Sequence, residues 1–301
     1  MGGRLLELHR SGTVERDRPL APLSTYRVGG AASFFAEPAD RDTLRLVTEA
    51  AAEDGVVVFV VGRGSNLVFS DAGFDGLVLR LGEGFTSLEI TEERVFAGAA
   101  VPLPLLARTS VSEGRAGLEF YVGIPGSVGG AVRQNAGGHG RQTSEVLQEV
   151  EILDAATGVI GHRSVTQLDL RYRHSNLLPH EVVLAASFTT EPGDPGIGEE
   201  ELRRITRWRR EHQPGGTFNA GSVFKNPEGD SAGRLIDEVG LKGHTVGSVT
   251  VSEKHANFFV ADPGATAAEI HALMLEVRRR VGEQTGVVLE PEIGFIGDFG
   301  S

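Results

Sequence analysis

Apolar and polar positions along the chain fall into three stretches, each patterned for a different set of elements. In the first stretch, residues 31–36 form a short apolar run that reads as a strand. Residues 40–53 then place Leu44, Val47 and Ala51 at the spacing of one helical face. Residues 56–61 are almost wholly apolar and β-branched, as in a strand covered on both faces, and they lead through residues 62–66 to the apolar stretch 77–81, which contains Arg80. The second stretch is built of short strands at residues 94–98, 146–154, 159–163 and 182–189, with a hairpin turn from Asp154 to Gly158 and a helix over 102–113. Pro192, Pro195 and three glycines break the pattern before a highly charged helix at 199–212, which is expected to lead into another domain. In the third stretch, residues 231–239 are helical and closed by Gly240, and 246–251 and 257–261 are strands. Thr266 and Glu269 have the spacing of a capping box. The helix they open carries Ile270, Leu273, Met274, Val277 and Val281 as one apolar stripe, predicted to pack in the core, and residues 287–296 are a last strand.

Composition narrows the class. A net charge of −12 disfavours non-specific nucleic-acid binding, because a polyanion is repelled overall, although a local basic pocket is still allowed. The chain has no cysteine, which excludes disulfides, thiolate nucleophiles and iron–sulfur clusters. The nine histidines show no metal-ligand spacing. Residues 1–17 lack the apolar segment of a signal peptide, and no run approaches the roughly 20 apolar residues of a membrane span. A soluble cytoplasmic protein is expected, a monomer or weak dimer with no membrane or nucleic-acid partner.

Glycine changes the picture most. There are 41 glycines, about twice the usual share of about 7%. They cluster at residues 28–30, 62–64, 123–140 and 215–221, which suggests one extended ligand touched from several loops. Gly62-Arg63-Gly64-Ser65-Asn66 follows a predicted buried strand, where converging backbone N–H groups can hold an anion; by itself it reads more readily as a structural turn. It matches neither the dinucleotide fingerprint nor a P-loop. Residues 123–140 alternate small and polar side chains and are expected to build no core, so close approach to a flat or pyrophosphate-bearing ligand is the reading drawn from them.

Several of these segments carry a family resemblance. Tyr26-Arg27-Val28-Gly29-Gly30, residues 62–66 and residues 124–138 resemble the FAD-binding elements of the UDP-N-acetylenolpyruvoylglucosamine reductase family. Further landmarks follow in order: Tyr172-Arg173-His174-Ser175, Gly221-Ser222-Val223-Phe224-Lys225-Asn226-Pro227, and Leu289-Glu290-Pro291-Glu292. The match runs over residues 23–297. The short link before the helix at 199–212 places the chain with the family's shorter second subtype, as does Lys254-His255-Ala256-Asn257. One departure stands out: relatives often have arginine where this chain has Gly294, two residues after Glu292.

The resemblance implies an α+β protein with the vanillyl-alcohol-oxidase (PCMH) type of FAD-binding fold. Residues 1–83, with a C-terminal strand from 288–301, and residues 84–198 would be the two α/β subdomains holding FAD. Residues 199–287 would be an α/β substrate domain. It implies non-covalent FAD, NADPH as electron donor, and UDP-N-acetylglucosamine enolpyruvate as the substrate, reduced to UDP-N-acetylmuramate for peptidoglycan. The implied catalytic residues are Arg173 on the substrate carboxylate, Glu292 polarising that carboxylate, and Ser222 protonating the α-carbon. Cofactor contacts are implied for Tyr26, Val28, Gly29, Gly62, Arg63, Gly64, Ser65, Asn66 and Leu67, and for Gly123, Ile124, Pro125, Gly126, Ser127, Gly129, Gly130, Asn135, Ala136 and Gly137. Substrate contacts are implied for Lys225, Asn226, Arg207, His255 and Asn257, and His139 is expected to pack near the flavin without a covalent bond. Two other readings fit the same segments, an alcohol oxidase of the same fold and a UDP-sugar-binding paralogue without catalysis.

Overall fold

The computed structural model describes residues 3–300. The backbone gathers into two compact units that interleave along the chain. One takes the residues up to Arg16, Phe34–Gly62 and Gly76–Arg209; the other takes Asp17–Ser33, Arg63–Asp75 and the chain from Arg210 on. Leu67–Phe69 pairs in parallel with Gly294–Ile296, and Tyr26 and Val28 pack in the C-terminal core, so long-range contacts draw these early segments to the second unit.

The first unit is centred on a five-stranded antiparallel sheet ordered Ile160–Ser164, Leu147–Asp154, Glu181–Thr189, Arg94–Gly98, Leu88–Ile90. Its middle strand, Glu181–Thr189, is buried along nearly all its length, which explains its apolar run. The helix Leu103–Ser112 packs Leu103, Leu106, Ala107 and Val111 into the same core; each large apolar side chain buried there contributes about 1.5–3 kcal/mol. A second core in this unit joins the helix Arg41–Glu53 to the parallel pair Val58–Val60 and Phe74–Leu79, in register Val58 to Leu77. Asp40 caps that helix by accepting from the Thr43 amide at 2.7 Å.

Two helices escape the periodicity argument. Gly3–Arg10 buries only Leu5 and Leu8, and its first amides, those of Arg4 and Leu5, are capped by the distant carboxylate of Asp54 at 3.0 and 2.7 Å. Val128–Gln134 lies inside the glycine-rich segment, where Val128, Ala131 and Val132 are buried in the main core. The expectation that this segment builds no core is therefore corrected. Its small residues let a short helix pack closely.

The second unit contains a three-stranded antiparallel sheet, Thr245–Val246, Val249–Val251, Phe259–Ala261. The single strand predicted over 246–251 is a hairpin, because Gly247 adopts φ +56 between its halves. The helix Ala267–Thr285 has the predicted capping box and stripe and ends at Gly286 in the left-handed region. Its first amides, Ala267 and Ala268, also donate to the Asp71 carboxylate at 2.9 Å.

Candidate active site

In the second unit, Ser222 begins a short extended segment held on both sides. Ser222 bridges Phe258 on one side and Phe224 bridges Pro291 on the other, both antiparallel. The Val223 amide donates to the Asn257 carbonyl at 2.8 Å, and the Val223 carbonyl accepts from the Glu292 amide at 2.7 Å. Val223 and Phe224 are fully buried, whereas Ser222, Lys225 and Glu292 are partly exposed. The fold therefore puts a hydroxyl and a carboxyl on neighbouring, mutually bonded segments while burying the residues between them.

The glycine loop of this unit is joined to the same place. The Asn66 side-chain amide donates to the Glu292 carbonyl at 2.9 Å, and the Gly294 amide donates to the Asn66 carbonyl at 2.9 Å. Gly64 has φ +61, and a Cβ there would stand 1.8 Å from the Leu23 carbonyl oxygen. Gly29 and Gly30 likewise have backbone atoms within 3 Å of any added Cβ. These glycines are fixed by packing inside the protein rather than by contact with a ligand. Among the described residues, the amides of Arg63, Gly64 and Ser65 find no protein acceptor. A run of such donors around a left-handed glycine suits a phosphate group.

Other residues singled out from the sequence have different duties. Tyr26 is 1% exposed and its hydroxyl donates to the Phe259 carbonyl at 3.2 Å, with burial raising its pKa far above the ordinary phenol value. Val28 is also a core residue. Their side chains are structural, which corrects the expected cofactor contacts to, at most, backbone ones. Asn257 is 2% exposed with both ends of its side chain bonded to Phe224, so the expected substrate contact is corrected as well. His255 Nδ1 accepts from the Asn257 amide at 3.3 Å, and burial, with Lys242 and His212 nearby, pulls its pKa down. Lys225 Nζ lies 3.4 Å from Glu290, and Asn226 is exposed, its Oδ1 accepting from the Ala232 amide at 3.1 Å. Gly294 pairs with Leu67, whose Cδ2 would be 3.0 Å from an added Cβ; a larger residue here needs that leucine to move.

In the first unit, Arg173 sits on a tight turn closed by paired 3.1 Å bonds between Arg171 and His174. Its φ of +52 is the left-handed conformation, which costs a non-glycine residue about 1 kcal/mol or more. The guanidinium stacks over Tyr172 at 5.0 Å and its Nη2 reaches the Gly137 carbonyl at 3.4 Å. Asn135 supports this turn from a fully buried position, donating to the Arg171 carbonyl at 2.9 Å and accepting from the Ser144 amide at 2.9 Å. Its side chain is therefore spent inside the protein, another correction to an expected cofactor contact.

Glycines in this unit divide into two kinds. At Gly62 a Cβ would meet Ser127 Oγ at 2.6 Å, and at Gly123 it would meet His139 Nε2 at 2.8 Å, so a larger residue at either position requires a neighbouring side chain to move. At Gly130 and Gly138 it would meet nothing nearer than 3.7 Å, so the protein's own packing does not demand glycine. Bare backbone at those two positions leaves room for a flat ring, and the residues present fit FAD. His139 stands edge-on to Trp208 at 5.2 Å, its pKa lowered by burial and by Arg204 and Arg209. Pro125 is exposed, Ile124, Gly126, Gly129, Ala136 and Gly137 are half-buried, and Arg207 is exposed on the helix Pro195–His212.

Comparison with known proteins gives this arrangement a family. A model described as an FAD binding domain matches residues 32–162, and one described as the UDP-N-acetylenolpyruvoylglucosamine reductase C-terminal domain matches 213–296. The UDP-N-acetylenolpyruvoylglucosamine reductase of Erythrobacter litoralis is 43% identical over 95% of this chain and 88% of its own length. That of Methylorubrum extorquens is 43% identical over 98% of this chain and 92% of its own. The crystal structure of the enzyme from Thermus caldophilus superposes with a TM-score of 0.83 at 34% identity, covering 94% of this chain and 99% of that one. The chain, an α+β protein with an FAD-binding domain, belongs to the UDP-N-acetylenolpyruvoylglucosamine reductase family and is an FAD-dependent oxidoreductase.

Proposed function

We propose that this chain reduces UDP-N-acetylglucosamine enolpyruvate to UDP-N-acetylmuramate with electrons from NADPH, a step toward peptidoglycan. The observation that carries the reading is the bonded pair of segments bearing Ser222 and Glu292, in a chain of this family. FAD, when bound, supplies the two-electron chemistry between NADPH and the substrate double bond. Each unit offers backbone that suits a part of it: in one, the amides of Arg63, Gly64 and Ser65 suit a phosphate, and in the other, the open backbone at Gly130 and Gly138 suits a flat ring.

The rest is work for side chains. Reducing the methylene carbon throws negative charge onto the α-carbon and its carboxylate. Arg173 meets that carboxylate with a planar two-pronged donor, and its unfavourable backbone, held by the Asn135 and Gly137 contacts, keeps the guanidinium preorganised. Glu292, protonated or sharing a proton, has the role of polarising the substrate carboxylate. Ser222 gives its proton to the α-carbon: the O–H bond breaks, a C–H bond forms, and the alkoxide regains a proton from solvent. A hydroxyl is a weak acid, but the carbanion it serves is strongly basic, so transfer runs downhill. Lys225, Asn226 and Arg207 supply polar and positive groups for the UDP moiety. No described helix is long and apolar enough to cross a membrane; the proposal places the reaction in the cytoplasm and takes the protein as a monomer or weak dimer. The test is direct. Purified protein should be yellow and should oxidise NADPH faster when the enolpyruvyl substrate is added; protein that stays colourless with added FAD contradicts the proposal.

A further inference from the structure

We infer that Asn257 is the positioning residue that sets where the Ser222 hydroxyl stands. This rests on the reading of Ser222 as proton donor. Asn257 is 2% exposed, so its side chain reaches no ligand. Its Oδ1 accepts from the Phe224 amide at 2.9 Å and its Nδ2 donates to the Phe224 carbonyl at 2.8 Å. Its own carbonyl accepts from the Val223 amide at 2.8 Å. One side chain thus takes the place of a neighbouring strand, satisfying both polar groups of Phe224, while its backbone holds Val223. Ser222 is the next residue along, and the Val223 carbonyl carries the amide of Glu292. A shift at Phe224 therefore moves donor and carboxyl together.

The carboxamide is required because it presents one acceptor and one donor at fixed spacing. An aspartate presents two acceptors, and one of them faces the Phe224 carbonyl. A neutral carboxylic acid presents one acceptor and one O–H donor again. This gives a signature that general damage to the fold does not produce. Burial raises the pKa of a carboxyl, so Asn257→Asp should regain the native pattern as pH falls.

The experiment measures single-turnover reduction of UDP-N-acetylglucosamine enolpyruvate by the pre-reduced holoenzyme between pH 5 and 8.5, each rate divided by wild type to remove the titration of His255. Expected for Asn257→Asp is a loss of about 10- to 100-fold at pH 8, recovering most of the way by pH 5. Asn257→Ala should be slow at every pH. Both should keep flavin content, and both should be reduced by NADPH within about twofold of wild type. An Asn257→Asp protein as fast as wild type at pH 8 overturns the inference. So does loss of flavin reduction in parallel with substrate reduction, or an Asp variant as slow as Ala throughout. If Asn257→Asp does not fold at pH 8, the comparison of Asn257→Ala with wild type decides by whether substrate reduction alone is slowed. Ser222→Ala run alongside separates the two readings: if it turns over normally, the assignment of Ser222 fails; if it is inactive while the Asn257 variants are normal, only the positioning role fails.

Discussion

The amide of Glu292 donates to the carbonyl of Val223 at 2.7 Å, and through it the carboxyl-bearing residue is fastened beside the hydroxyl-bearing one. The bond uses backbone atoms, so side-chain replacement leaves it in place. Glu292→Ala, which removes the polarising group, is expected to fold cooperatively because that backbone bond survives. Substrate turnover should fall about 10²–10³-fold. Calorimetry and steady-state rates check the two halves of this statement.

If Ser222 is the proton donor as proposed, Ser222→Ala removes that role and little else, since the flanking bridges are formed by backbone. Stopped-flow mixing with NADPH should show normal flavin reduction. Reduction of substrate should slow about 10²–10⁴-fold.

Two left-handed glycines separate a packing requirement from backbone strain. Gly64→Ala places a Cβ 1.8 Å from the Leu23 carbonyl, whereas at Gly140, with φ +82, an added Cβ meets nothing within 4 Å. Gly140→Ala should cost about 1 kcal/mol and keep its flavin. Gly64→Ala should cost several times as much, because backbone must move, and should lose flavin on gel filtration as the Arg63–Ser65 amides are displaced.

Tyr26→Phe tests whether this tyrosine is structural. The change removes the hydroxyl that donates to Phe259 and should cost about 1 kcal/mol in denaturant unfolding. Flavin affinity, measured by fluorescence titration, should be unchanged.

Acid should weaken the fold through His255 and His139, whose pKa values are lowered mainly by burial. The unfolded chain takes up the protons near the ordinary histidine value of about 6.5, while the folded chain resists until lower pH. Their stabilisation is therefore complete above about pH 6.5 and is lost as pH falls through the lowered values. Melting temperature should drop over that window in wild type, and less steeply in His255→Phe.

Much of the frame was readable from pattern alone. The helix Ala267–Thr285 announces itself by its capping box and stripe, and the buried run of Glu181–Thr189 by its β-branched residues. What escaped was governed by contacts distant in sequence. Asp54 caps a helix some fifty positions away, and Leu67 finds its partner in Gly294. Motif order put Ser222, Arg173 and Glu292 forward as candidates but could not separate side chains that face a ligand from those that hold the backbone. Tyr26, Asn135 and Asn257 lie within the recognised motifs, yet their side chains are buried and hydrogen-bonded inside the protein. The glycines divide in the same way, and only an added Cβ tells Gly64 from Gly130.

The most direct measurement is an anaerobic single turnover, in which protein reduced with one equivalent of NADPH is mixed with UDP-N-acetylglucosamine enolpyruvate. The flavin absorbance should return in step with one equivalent of UDP-N-acetylmuramate. If the flavin stays reduced with that substrate and is reoxidised only when air is admitted, the assigned reaction is wrong.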